Sequence, residues 1–222
     1  MTHIFNNLFP FLTYSHQILN HGDIGDSLFP EEAKATLNFT PKRLREFSIG
    51  RYCAREALCN AGIQDYPVLI SSAGSPIWPN EYTGSIAHTK DCTAASVAQV
   101  CFAKSIGIDI EELADFPMYI KADILRVDEI AEFHGYNLYP ESIRLALFFS
   151  IKEAVYKAYN PIYRKFLDFK DVSLRLNESE GSYTASIHQQ LVGINREPLV
   201  IKGLFLVDSK RVYSSAWIRS EK

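Results

Sequence analysis

A helix that is apolar on nearly every side can fold only by being enclosed, and this chain contains one. From Ser142 to Tyr159 it reads Ser-Ile-Arg-Leu-Ala-Leu-Phe-Phe-Ser-Ile-Lys-Glu-Ala-Val-Tyr-Lys-Ala-Tyr, with Asn160-Pro161 expected to close it. At 3.6 residues per turn, Ala146, Ser150, Glu153, Ala154 and Lys157 share one face. Small residues there leave room for close approach, with Glu153 and Lys157 one turn apart above them. On a solvated helix such an i,i+4 pair is worth about 0.2–0.5 kcal/mol. On a buried helix both charges need further partners.

The segments available to enclose it predict an α+β fold: a mixed N-terminal segment, a helix, a loop, strands, helices, then strands. Asn177–Ser182 reads as a hairpin loop between strands 172–176 and 183–187. Ser71-Ser72-Ala73-Gly74-Ser75-Pro76 reads as a loop, and a strand is expected around Ala95–Phe102. The 222 residues suffice for one large domain or two of about 100 residues. A formal net charge of -3 gives no argument for bulk nucleic-acid or anionic-membrane binding. No apolar run approaches the roughly 20 residues that span a bilayer. Met1-Thr2-His3-Ile4-Phe5 lacks a secretory pattern, so a cytoplasmic protein is expected. Cys53, Cys59, Cys92 and Cys101 show no CxxC spacing and predict buried reduced thiols.

A first helix is predicted from Thr40-Pro41, a capping residue followed by a proline at the first helical position. Leu44, Phe47, Ala54 and Leu58 mark its core stripe. Arg51 falls within the stripe, Arg55 beside it and Arg43 near its edge. These arginines either snorkel to solvent or pair with structural carboxylates, or they turn inward to hold an anion, for which the guanidinium fork suits phosphate.

Ser105-Ile106-Gly107-Ile108-Asp109-Ile110-Glu111 alternates strictly, so Asp109 and Glu111 stand on one strand face, about 6.5–7 Å apart at Cα. Two such carboxylates repel unless a cation lies between them, and hard oxygen ligands in small number suit Mg²⁺. By itself an Asp-x-Glu is a weak signal and reads first as an ordinary solvated strand face. His88, in Gly84-Ser85-Ile86-Ala87-His88-Thr89, is either a satisfied core histidine or a phosphate donor at a strand end.

Taken in order, Gly84–Thr89, Ile106–Glu111 and Phe149-Ser150-Ile151-Lys152-Glu153-Ala154-Val155-Tyr156-Lys157 resemble the three signature motifs of the 4'-phosphopantetheinyl transferase superfamily. Gly50–Leu58, Pro76-Ile77-Trp78-Pro79 and Phe166-Leu167-Asp168-Phe169 resemble its single-chain group, which includes the enterobactin-synthesis transferases. The resemblance runs from residue 40 to residue 175, and the first 35 residues add little to it.

It implies two similar α+β halves related by a pseudo-twofold, residues 1–112 and 113–222, with coenzyme A in the cleft between them. It also implies transfer of the 4'-phosphopantetheine of coenzyme A to a serine of an apo carrier protein, with release of adenosine 3',5'-bisphosphate. Asp109, Glu111 and Glu153 match the Mg²⁺ ligands; Glu153 matches the general base and Lys157 the phosphate-contacting lysine. Arg43, Arg51 and His88 match positions that hold coenzyme A phosphates, with Arg55, Ser75, Pro76, Ala87 and Asp109 in the same substrate-binding set. Siderophore or nonribosomal-peptide carriers and a monomer are further expectations of the subgroup.

Two departures stand out. Gly74 and Ser75 occupy places where the family often has Lys or Arg, and Ala87 replaces the hydroxyl residue common before the histidine. Two alternatives use the same residues. One is a Mg²⁺-dependent pyrophosphohydrolase acting on coenzyme A-like nucleotides, and the other a non-catalytic module that binds coenzyme A or a carrier.

Overall fold

The computed structural model describes residues 3–19, 27–72, 74–188 and 199–220. In chain order these form β1 (Tyr14–Leu19), α1 (Pro30–Ala33), α2 (Pro41–Asn60), β2 (Tyr82–His88), β3 (Cys92–Gln99) and β4 (Ala103–Glu112). There follow α3 (Lys121–Ile124), α4 (Ile130–Gly135), α5 (Glu141–Tyr163), β5 (Val172–Asn177), β6 (Ser182–Ile187), β7 (Leu199–Val207) and β8 (Arg211–Arg219). Short 3-10 turns lie at Ile4–Asn7, Lys34–Thr36, Met118–Ile120, Val127–Glu129 and Phe169–Asp171.

Two antiparallel sheets result, one of order β1-β3-β2 and one of order β4-β8-β7-β6-β5. Period-two alternation gives each a distinct pair of faces. On the first, Ala95 and Val97 join Ile49, Cys53, Ala54 and Leu58 of α2, while Ala87, Ala94 and Ala98 face the other way. On the second, Ile106, Ile108 and Ile110 meet those alanines in a shared core, and Gly107 turns toward α5. The chain is therefore layered as α2, first sheet, shared core, second sheet and α5, the α+β arrangement expected. Among the described residues the strands number three in one sheet and five in the other.

The N-terminal segment has a role that its sequence does not announce. Phe5, Leu8 and Phe9 are buried in the shared core beside Tyr213 and Trp217, and Ser215 Oγ donates to the Leu8 carbonyl. The acidic strand β4, placed with the N-terminal half by sequence, is hydrogen-bonded to β8. It also meets β2, where the Ile108 N–H donates to Ser85 Oγ at 3.1 Å.

α5 is enclosed as its composition requires, with Leu145, Ala146, Leu147, Phe148, Ile151, Ala154, Val155 and Ala158 all buried. Gly107 sets how closely it lies: a Cβ there would stand 1.9 Å from the Ala154 carbonyl oxygen. No helix is long and apolar enough to cross a membrane among the described residues.

Several local expectations need correction. α5 does not close at Asn160-Pro161 but runs to Tyr163, where Arg164 at φ 52° ends it by donating to the Asn160 carbonyl at 2.8 Å. Proline so near a C-terminus forfeits only one intrahelical bond. Leu44 does not join the core stripe of α2, because residues 41–45 are all exposed. The strand expected over 95–102 begins at Cys92, and Val100–Phe102 form the turn into β4. Cys53 and Cys92 are buried free thiols as expected, but Cys59 and Cys101 are exposed. In the predicted 71–76 loop, Ile70 bridges to Pro76; Ala73 lies outside the described residues.

Candidate active site

α2, the 70–78 loop, β2 and the C-terminal half of α5 enclose a cleft of about 410 Å³. The loop lies flat on β2 because Gly84 leaves space for Trp78; a Cβ at Gly84 would stand 2.7 Å from the indole. Of the residues expected to hold coenzyme A, Arg43, Arg51, Ser75, Pro76, His88 and Lys157 line this cleft together.

Arg51 is the most telling. It is only 5% exposed, its guanidinium lies over the Phe47 ring at 4.2 Å, and its Nε finds no partner among the described residues. Burial lowers its pKa to about 10, against the pull of Glu32, so it remains a cation at neutral pH. A buried cation short of partners is costly until an anion arrives. Arg43 is more exposed and lies 3.8 Å from Glu46, while His88 stands at the rim, its pKa lowered mainly by desolvation. Glu46 opposes that shift, and Lys157 and Arg43 reinforce it. The Ser75 hydroxyl is paired with that of Ser71 at 2.8 Å, so the loop that carries Gly74 and Ser75 presents a neutral wall.

Three expected members, Ala87, Arg55 and Asp109, do not line the cleft. The Ala87 side chain faces the shared core because it alternates with His88 along β2. Arg55 donates to Glu32 Oε2 and the Ser27 carbonyl and lies over the Phe29 ring at 4.6 Å. Glu32 in turn accepts from the N–H groups of Val68 and Phe29 at 2.9 and 3.0 Å. Arg55 is therefore the counter-ion of a buried glutamate and does not line the cleft.

Beyond Lys157 lie the acids. Lys157 Nζ donates to Asp109 Oδ1 at 2.7 Å, across 48 residues of sequence, so its hydrogen-bonded partner is the strand acid and not Glu153 one turn away. Asp109 is 5% exposed and its Oδ2 has no partner among the described residues. Burial raises its pKa despite Lys157. Glu111 is pushed up to about 8, first by burial and then by Asp109 and Glu153. Burial and Asp109 raise Glu153 as well, and Lys157 opposes the shift at all three.

The three carboxylates thus share one electrostatic neighbourhood with one ammonium, which leaves two negative charges uncompensated when all are ionised. One divalent cation would match that deficit, and the orphaned Asp109 oxygen provides a ligand. Among the described residues no three His, Cys, Asp or Glu side chains are closed up as a ready-made metal cage. An open donor set is what Mg²⁺ accepts, since it retains waters and shares a substrate's phosphates.

The sequence places Lys152 in the third motif and assigns it no role. It is 1% exposed and points away from the cleft, donating to the carbonyls of Ile124 and Phe169, each at 2.9 Å, and to Glu129 Oε2 at 2.6 Å. The available signal was its position: a lysine on a helix with no solvated side must have buried partners.

The 4'-phosphopantetheinyl transferase N-terminal domain family matches residues 31–98, and the 4'-phosphopantetheinyl transferase superfamily matches residues 105–198. The chain is 35% identical over 161 residues to the 4'-phosphopantetheinyl transferase Svp of Streptomyces mobaraensis, covering 72% of this chain and 65% of Svp. It is 31% identical over 160 residues to the 4'-phosphopantetheinyl transferase PptT of Mycobacterium tuberculosis, covering 70% of this chain and 68% of that one. Enterobactin synthase component D of Salmonella typhimurium is 34% identical over 121 residues, 54% of this chain and 49% of its own length. The chain belongs to the 4'-phosphopantetheinyl transferase superfamily. It spans just under two thirds of Svp and about half of the enterobactin synthase component.

Proposed function

We propose that this protein moves the 4'-phosphopantetheine of coenzyme A onto a serine of an apo carrier protein. The observation that carries the reading is the double membership of Lys157. It lines the cationic cleft with Arg51 and His88, and its Nζ is bonded to Asp109 in the acid cluster. A group bound there has its phosphates between a cationic wall and three carboxylates, a separation suited to phosphoryl transfer.

In this reading Arg43, Arg51 and His88 hold the phosphates at the adenosine end, and Lys157 neutralises the pyrophosphate. The serine oxygen attacks the phosphorus on the pantetheine side. The bridging P–O bond breaks, and 3',5'-ADP departs with the electron pair. Glu153, its proton affinity raised by burial, accepts the serine proton. Asp109, Glu111 and Glu153 are the residues that would hold Mg²⁺, which supplies charge stabilisation on the phosphoryl oxygens. The division into halves at 112/113, a monomeric state, a cytoplasmic location and carriers of siderophore or nonribosomal-peptide synthesis belong to the same proposal.

The test is the mass of apo carrier domains from several pathways after incubation with the protein, coenzyme A and Mg²⁺. Gain of one phosphopantetheine is expected on at least one. Release of 3',5'-ADP without any carrier would point to a hydrolase, and binding of coenzyme A with neither product would point to a non-catalytic module.

Two further outcomes follow from the geometry. Arg51→Ala should raise the KM for coenzyme A roughly 10- to 100-fold with a smaller change in kcat, because Arg51 holds the nucleotide away from the reacting bond; initial rates at varied coenzyme A check this. Metal-free protein should lose stability as pH rises. Glu111 has a folded pKa of about 8 against an ordinary 4.5, so the native state holds its proton more tightly. That contribution is complete below about pH 4.5 and gone above about pH 8. Thermal melts should therefore show a midpoint several degrees lower at pH 8 than at pH 5.5. Mg²⁺ should recover more of it at pH 8.

A further inference from the structure

We infer that Lys152 is a positioning residue, a buried staple that holds the two walls between which the reacting end of the substrates meets Glu153. This rests on the transferase reading above. Lys152 and Glu153 are adjacent on α5, so their side chains point about 100° apart on the helix. Glu153 opens into a groove of about 200 Å³ walled by Tyr156, Phe166, Leu167 and Phe169, which Lys152 itself also lines. Glu111 opens into a second groove, of about 340 Å³, walled by Phe116, Pro117, Ile120 and Phe149. Apart from Tyr156 and Phe149 of α5, these walls come from two segments, residues 116–129 and 166–171, and Lys152 binds one carbonyl in each: Ile124 and Phe169.

The third bond, to Glu129, extends the staple. Glu129 Oε1 accepts from the Leu174 N–H at 2.7 Å, and its Oε2 accepts from the Arg126 N–H at 3.0 Å. Arg126 then donates to the Lys170 carbonyl, which joins the two segments a second time. Both segments and the start of β5 are thus tied to α5 through one ammonium group, on the side away from the adenosine cleft. None of its three bonds reaches a cleft residue. Loosening it should leave nucleotide binding intact and misplace the groove walls, and displacements near 1 Å cost about 100-fold in rate.

The experiment uses full-length Lys152→Met and the double variant Lys152→Met/Glu129→Gln, in which no buried charge is left uncompensated. Three quantities are compared with wild type: the thermal midpoint, the Kd for 3',5'-ADP, and kcat/KM for transfer to a carrier domain that wild type modifies. The double variant is expected to recover most of the stability lost by Lys152→Met. It should bind 3',5'-ADP within about twofold of wild type and still transfer about 10- to 100-fold more slowly. A folded double variant with wild-type kcat/KM would overturn the inference and leave Lys152 a stability element only. Equal losses of 3',5'-ADP affinity and transfer would also overturn it. Absence of transfer by wild type would instead sink the functional reading.

Discussion

Asp109→Asn is expected to reduce phosphopantetheine transfer by about 1,000-fold or more while leaving the metal-free protein at pH 8 no less stable than wild type. Both halves follow from the same contacts. Asp109 is buried, accepts from Lys157 with one oxygen and leaves the other without a partner among the described residues. It also raises the proton affinity of Glu111 and of Glu153. An asparagine keeps the shape and one acceptor for Lys157 but removes the charge that repels the other two acids. Repulsion falls, and Glu111 should titrate closer to its ordinary value. The donor set, however, loses a charged ligand, and charge that develops on the phosphoryl group loses its counter-field. Turnover by mass spectrometry and melts at pH 8 read the two halves separately. Near-normal turnover would remove Asp109 from the metal assignment.

Gly107→Ala should destabilise the fold by about 3 kcal/mol or more, which is roughly 6–12 °C in thermal midpoint for a chain of this size. The added Cβ would meet the Ala154 carbonyl oxygen at 1.9 Å and the Ala158 nitrogen at 2.7 Å. Both are helix backbone, so no rotamer change relieves the clash, and α5 must lift from β4. The same movement would pull Lys157 from Asp109, so transfer should fall even in the folded fraction. Thermal melts with activity per folded molecule test this, and a melt within 2 °C of wild type would show that the helix is not so constrained. The glycine in front of the first acid therefore has a physical reason: it lets the two motif-bearing elements touch.

Much of this was legible in the chain because it depends on local periodicity. Alternation across Ser105–Glu111 placed both acids on one face, and the composition of 142–159 required a buried helix; α5 and β4 meet both expectations. What escaped were partners distant in sequence. Helical spacing sets Arg51 within the core stripe and Arg55 beside it but does not say what either meets; Glu32 and Ser27 decide that for Arg55. Lys157 was read against Glu153 because both lie on one helix, whereas its bonded carboxylate arrives from β4. The burial of Phe5 and Leu8 depends on β8, about 200 residues further on. Lys152 stands in the third motif, and its enclosure was implied by the helix that carries it, but its partners lie 17 to 28 residues away.

Binding of Mn²⁺, as a spectroscopic substitute for Mg²⁺, tests the central claim most directly when followed by electron paramagnetic resonance with coenzyme A present. One tightly bound ion per wild-type molecule is predicted, with at least tenfold weaker binding in Asp109→Asn and in Glu153→Gln. Unchanged Mn²⁺ binding in both folded variants would contradict a metal held between the acids and the bound nucleotide.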